Sequence, residues 1–201
     1  TEGLVEANFN KLTDGETGGH IKGAVNIPVG ETLAVRAAGY YTAYAAFIDA
    51  AGPAHQRNVN DGVRGGLRVS ALWQPVEELK ITPRIVFQEV TSDGFNRQEV
   101  FNVFHNDFIA GPDAFEKRQQ FLLLREKYKD KTVLGDLTAS YDFGGVELTS
   151  VSSYIDRDIL VSRDASALTG SVSVDLGFPG EVALPSNLRD TTDLKSFTQE
   201  L

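Results

Sequence analysis

Three histidines, 28 acidic residues and no cysteine bound the chemistry open to this 201-residue chain. His20, His55 and His105 fall in separate turns or loops, with no paired spacing on one element and no thiolate to complete a metal centre. Asp156 with Asp158 and Asp190 with Asp193 offer carboxylate pairs, but neither pair sits in a calcium-loop spacing, so they read as solvated loop charge. Glycines in 15–19 and 62–66 do not lead into a helix as a phosphate cradle requires, and they read as turn and strand glycine. No serine, histidine and acid are spaced as a nucleophilic triad, and no carboxylates are spaced as an acid/base pair. The chain is therefore read as not an enzyme and as needing no cofactor. What remains is a set of arginines, Arg36, Arg64, Arg68 and Arg84, whose planar forks suit carboxylates and other anionic groups.

Each of those arginines lies in an alternating segment. Val63, Gly65, Leu67, Val69, Ala71 and Trp73 are apolar or small, while Arg64, Arg68, Ser70 and Gln74 fall between them, which is a strand with two different surroundings. The segment 79–90 repeats the pattern, with Leu79, Ile81, Ile85 and Phe87 on one face and Lys80, Thr82, Arg84 and Gln88 on the other, and only residues 74–78 separate the two. Pro83 removes one ladder donor from this strand. Val133, Leu137, Ala139 and Tyr141 begin a second hairpin that turns at Asp142-Phe143-Gly144-Gly145 into a strand over 146–155. Upstream, Val5, Ala7 and Phe9, then Ile21, Gly23, Val25 and Ile27, then Leu33, Val35, Ala37, Gly39 and Tyr41 alternate likewise, making seven strands in all. One short helix is expected after Gly111-Pro112, with Asp113 as cap, Glu116 closing a capping box, and Phe121, Leu124 and Tyr128 at helical spacing.

Connections alternate in length. Turns near Pro28, Pro75 and Gly144 are short, whereas 42–62, 92–131 and 157–196 are long and polar. Links of that length are uncommon inside compact soluble domains, but short turns at one end with long loops at the other are the habit of outer-membrane barrels. Trp73 and Tyr141 precede short turns, and Tyr40, Tyr41 and Tyr154 lie towards long loops, which places aromatics at two interfaces. No stretch approaches the roughly 20 apolar residues of a spanning helix. A net charge of −9 argues against nucleic acid as a partner. A soluble β-sandwich binding module has similar alternation and is the second reading.

Several stretches resemble the barrel of TonB-dependent outer-membrane receptors, in the alphaproteobacterial type. Val25-Asn26-Ile27-Pro28 followed by Thr32-Leu33-Ala34-Val35-Arg36 and Gly39-Tyr40-Tyr41 is similar to the family's second and third strands. Gly62-Val63-Arg64-Gly65-Gly66-Leu67-Arg68 with Trp73-Gln74-Pro75, and then 148–154, resemble a later descending and a later ascending strand. Phe197-Thr198-Gln199-Glu200-Leu201 looks like the start of the next strand. The resemblance implies an all-β, antiparallel up-and-down meander in which residues 1–201 supply about eight of roughly 22 barrel strands, from 2–12 onward. It leaves the plug domain, the TonB box and the remaining strands outside this stretch, and with no methionine at position 1, Thr1 reads as internal to a longer chain. The implied function is TonB-energised uptake of a scarce nutrient across the cell outer membrane of a Gram-negative bacterium. An iron–siderophore complex is the default ligand, with cobalamin and saccharides as others. The implied partners are the TonB complex, the plug, outer-membrane lipid and a small-molecule ligand such as a metal chelate. On that reading Arg36, Arg64, Arg68 and Arg84 face the lumen, towards plug or ligand.

Overall fold

The computed structural model describes residues 1–100, 115–181 and 184–201. Eight strands make one sheet: β1 (Glu2–Lys11), β2 (Thr17–Pro28), β3 (Leu33–Tyr44), β5 (Gly62–Val76), β6 (Leu79–Ser92), β8 (Lys127–Asp142), β9 (Glu147–Asp164) and β10 (Asn187–Glu200). Every neighbouring pair is antiparallel and the order in space follows the order in sequence, so the expected up-and-down meander is what forms. The sheet is open, with β1 and β10 as its two edges. β4 (Asp49–Ala51) and β7 (Gln119–Phe121) form a separate two-stranded parallel pair.

Turn chemistry explains the short connections. Gly30, at φ 80°, supplies the left-handed residue between β2 and β3. The Asp142 carboxylate accepts the Gly144 N–H at 2.8 Å, and Gly144 at φ 83° completes the β8–β9 turn. Glu77 and Glu78 alone join β5 to β6, and the register slips between Trp73 and Val76 as a bulge at that end. Trp73 pairs with Ile81, which pairs with Ala139, and Tyr141 pairs with Leu79. Both aromatics therefore stand at the short-turn end, as expected.

Three boundaries differ from the sequence reading. Asp113 lies outside the described residues, but Glu116 to Tyr128 do not form the expected helix. Phe121 ends β7, Leu124 lies in a bend and Tyr128 is in β8. The Asp164 carboxylate takes the Leu123 and Leu124 N–H groups at 2.5 and 3.0 Å, and the Gln98 and Glu99 side chains take those of Arg118 and Phe121, so the backbone is bonded outside any helix. The one α-helix among the described residues is instead α1 (Ser166–Asp175), between β9 and β10. Phe197 does not open the eighth strand but closes it, since β10 begins at Asn187. Its polar first half carries no period-two signal and is held by backbone pairing with β9. Finally, Tyr154 sits mid-strand, because β9 runs on to Asp164.

The buried apolar residues are not in the large sheet. Ala46, Ile48, Ala50, Ala54, Val59, Phe121 and Leu122, the buried hydrophobics among the described residues, all belong to the long connections, where β4 and β7 tie two of them together. Asn60, itself buried, ties the connections of this cap to one another. Its Oδ1 accepts the Phe47 and Ile48 N–H groups, each at 2.8 Å, and its Nδ2 donates to Asn96 Oδ1 at 2.7 Å. Asn60→Ala strands two N–H groups at once. It should weaken the cap by about 1–3 kcal/mol per buried donor left unpaired, seen as faster hydrogen exchange at residues 47–59 with the large sheet unchanged.

Candidate functional site

Side chains along one row of a sheet share a face, so the register sorts the whole molecule into two surfaces. Phe9, Gly19, Ala43 and Val63 share one row. Val5, Gly23, Gly39, Leu67, Phe87 and Val133 share another, and Val25, Ala37, Val69, Ile85, Gly135, Tyr154 and Phe197 a third, all on one face. Large apolar side chains there are left open: Leu67 is 51% exposed, Ile85 54% and Trp73 46%. Among the described residues no second sheet of comparable size packs over them.

The apolar face has a slanted upper limit. On β1, β3 and β5 it reaches the row of Phe9, Ala43 and Val63. On β6 and β8 it stops four residues lower, at Phe87 and Val133, and on β9 and β10 two residues lower again, at Tyr154 and Phe197. Immediately above come Lys11, Glu89, Lys131, Asp156 and Lys195. The limit thus falls six residues over seven strand steps. At roughly 3.3 Å per residue and about 4.8 Å per strand this is a slope of about 30°. Aromatics follow the slope, from Phe9 and Tyr41 through Phe87 to Tyr154 and Phe197, so Tyr154 is mid-strand and still at the edge of the apolar band. At the other end Trp73 and Tyr141 mark the lower limit, with Phe143 packed 4.6 Å from Tyr141 between ring centroids.

The opposite face carries the arginines. Arg36 and Arg84 lie in one row, both flanking Ser70. Arg36 donates to Asn26 Oδ1 at 2.7 Å, and Arg84 pairs with Asp136 at 2.7 Å. Arg64 donates to Gln88 Oε1 at 2.6 Å and to the Tyr40 hydroxyl at 3.1 Å, and Tyr40 in turn donates to Gln88 at 2.6 Å. Arg68 makes no hydrogen bond or ion pair among the described residues; with Lys22 and Arg36 it borders a recess of about 400 Å³. The sequence reading thus placed all four arginines on one polar face, but it missed the closest pair on that face. Arg157 grips Asp130 with Nε at 3.0 Å and Nη2 at 2.5 Å, and Asp130 is only 5% exposed. Strands running to Lys127 and Asp164 create this contact, and their extra length had no alternating signature.

Other candidates resolve simply. His20 meets Glu6 at 3.1 Å on the polar face, His55 lies in the cap, and His105 is outside the described residues. Asp156, Asp158 and Asp193 bring carboxylate oxygens within 4.8 Å of one another, but they are on the open face beside Lys195, 3.6 Å from Asp156. Asp190 pairs with Val161 and does not join them.

Electrostatics at the long-loop end are set by buried carboxylates. Glu126, 4% exposed, accepts the Asp164 N–H at 3.0 Å and Arg97 Nη2 at 3.1 Å. Burial pushes the Glu99 carboxyl above its ordinary range. Its bond from the Phe121 N–H and the charge of Arg97 oppose this, and the charges of Asp164 and Glu126 add to it. A raised folded value means that cap stability is fully present below the ordinary carboxylate range and is lost as pH rises through the raised value. Glu99→Gln should accordingly slow exchange of the Leu122 and Ala54 amides at pH 8, after correction for intrinsic rates. The two proteins should coincide at pH 4.

Compared with protein-family models, curated proteins and solved structures, the chain matches none.

Proposed function

We propose that this chain forms part of the wall of an outer-membrane β-barrel receptor. The apolar face meets lipid, the arginine face meets the lumen and its plug, and TonB energises uptake of a scarce nutrient. The observation that carries this reading is the slanted boundary between apolar and charged side chains. Barrel strands cross a bilayer at roughly 35–45°, so a membrane surface cuts the hydrogen-bond rows obliquely. A soluble sandwich, which covers its apolar face with a second sheet of matching extent, gives no reason for a slope.

Lengths and energetics agree. The apolar face of β5 runs from Val63 to Trp73, matching the roughly 9–11 residues a tilted strand needs to cross. Below the slanted limit no charged side chain stands on that face among the described residues. That matters because Arg or Lys facing the bilayer middle costs roughly 2–4 kcal/mol. The resemblance to TonB-dependent receptors supplies the transport reading, with ferric chelates, cobalamin or saccharides as the cargo classes it allows.

Two measurements test this proposal. Single cysteines introduced in turn from Leu67 to Ala71, in the full-length protein in intact outer membranes, should react with a membrane-confined reagent at positions 67, 69 and 71 and stay silent at 68 and 70. The reverse pattern exchanges the faces, and silence throughout removes the membrane. Val69→Arg should cut assembled protein in the outer membrane far more than Arg68→Val, read as heat-modifiable barrel on gels.

A further inference from the structure

At the long-loop end, around the upper limit of the apolar band, a cavity of about 720 Å³ opens between β1–β3 and the segments that carry Phe47, Asn60, Asp61, Phe95 and Asn96. Its volume falls within the ~300–1,000 Å³ of small-molecule sites. We propose that it binds an uncharged, hydroxyl-rich ligand, a saccharide in chemical class. This rests on the receptor reading and names its cargo.

The lining carries the argument. Among the described residues no lysine or arginine borders the cavity, whereas the lower recess has Lys22, Arg36 and Arg68. An anionic chelate seeks charge-assisted lysine or arginine donors and, among the described residues, finds none bordering the upper cavity. The upper cavity offers side-chain amides, from Asn8 and Asn10 on β1 and from Asn96. An amide donates and accepts at once, as neighbouring hydroxyls do. Asp61 lines the same cavity and brings a carboxylate acceptor to it; its Oδ1 is buried with no hydrogen-bond partner. Burial raises the Asp61 carboxyl above its ordinary range, and the charges of Asp93 and Glu16 push the same way, so the neighbourhood is negative and repels anions. Two phenyl rings supply apolar walls for the C–H side of a sugar. Each is held by a guanidinium, Arg118 lying 5.5 Å from the Phe47 centroid and Arg163 4.7 Å from that of Phe95. The Asn60 to Asn96 bond fixes the floor between them before any ligand arrives.

The full-length receptor, purified in detergent, is tested against an array of neutral oligosaccharides, with ferric citrate as the anionic probe and spermidine as the cationic one. The expected result is retention of a neutral glycan, weakened about tenfold or more by Asn8→Ala and by Asp61→Ala. Asp61→Asn keeps an acceptor oxygen and should hold affinity within about threefold of the parent. Binding of spermidine lost in both Asp61 variants would replace the saccharide by a cation. Binding of ferric citrate lost with Asn8→Ala, an array with no bound glycan, or glycan affinity indifferent to all three substitutions would also overturn the proposal. Far-ultraviolet circular dichroism and heat-modifiability of each variant separate misfolding from lost contact. A parent protein absent from the outer-membrane fraction defeats the receptor reading itself. One present there, yet without glycan, defeats only the ligand class.

Discussion

The backbone ladder across eight strands is the constraint from which the rest follows. Most domains hold a sheet by burying one face, but here, among the described residues, neither broad face is covered by a packed layer, and the six inner strands of the sheet pair with neighbours on each side. Hydrogen-bonded rows therefore set the shape, and side chains are free to suit two different surroundings. A slip of one residue would exchange the two faces of a strand, bringing Arg68 to the side of Ile85 and Phe87. Cross-strand pairs such as Arg84 with Asp136 and Arg64 with Gln88 act against that slip, since each forms in one register only.

How much of this was legible in the residues depends on whether a strand separates two environments. The segments 63–73 and 79–90 do so, and their alternation placed both strands, the turn between them and the shared face of Arg68 and Arg84. The first half of β10, with Arg189, Asp190, Thr191, Thr192 and Asp193 in succession, is polar on both sides, and nothing local distinguishes it from loop. Likewise β8 and β9 extend above the apolar band into a region polar on both faces, where Arg157 meets Asp130. Period two is a signal of contrast, and it vanishes where the contrast does.

The cap was illegible for another reason. Its core draws Ile48, Ala50 and Val59 from one connection and Phe121 and Leu122 from another, so no single window shows a pattern long enough to read. The apolar spacing around Phe121 and Leu124 imitates a helix, but the partner that decides the matter, β4, is some 70 residues away. Asp164 and Glu126 complete the joint by accepting backbone N–H groups from segments distant in sequence. The candidate cavity shares this origin: its residues come from both strands and loops and converge only after the cap is seated.

The parallel tie between β4 and β7 also differs from the large sheet in the loop that it closes. Every pairing in the large sheet joins consecutive sheet strands, so the meander can grow hairpin by hairpin, each step closing a loop against strands already formed. β4 and β7 lie about 70 residues apart, so their pairing closes a longer loop than any step of the meander. By loop-closure entropy the cap thus holds the costliest pairing of an otherwise local chain of contacts. The cavity at the long-loop end therefore takes its shape from the costliest closure in the molecule, set on strands that need none of it in order to pair.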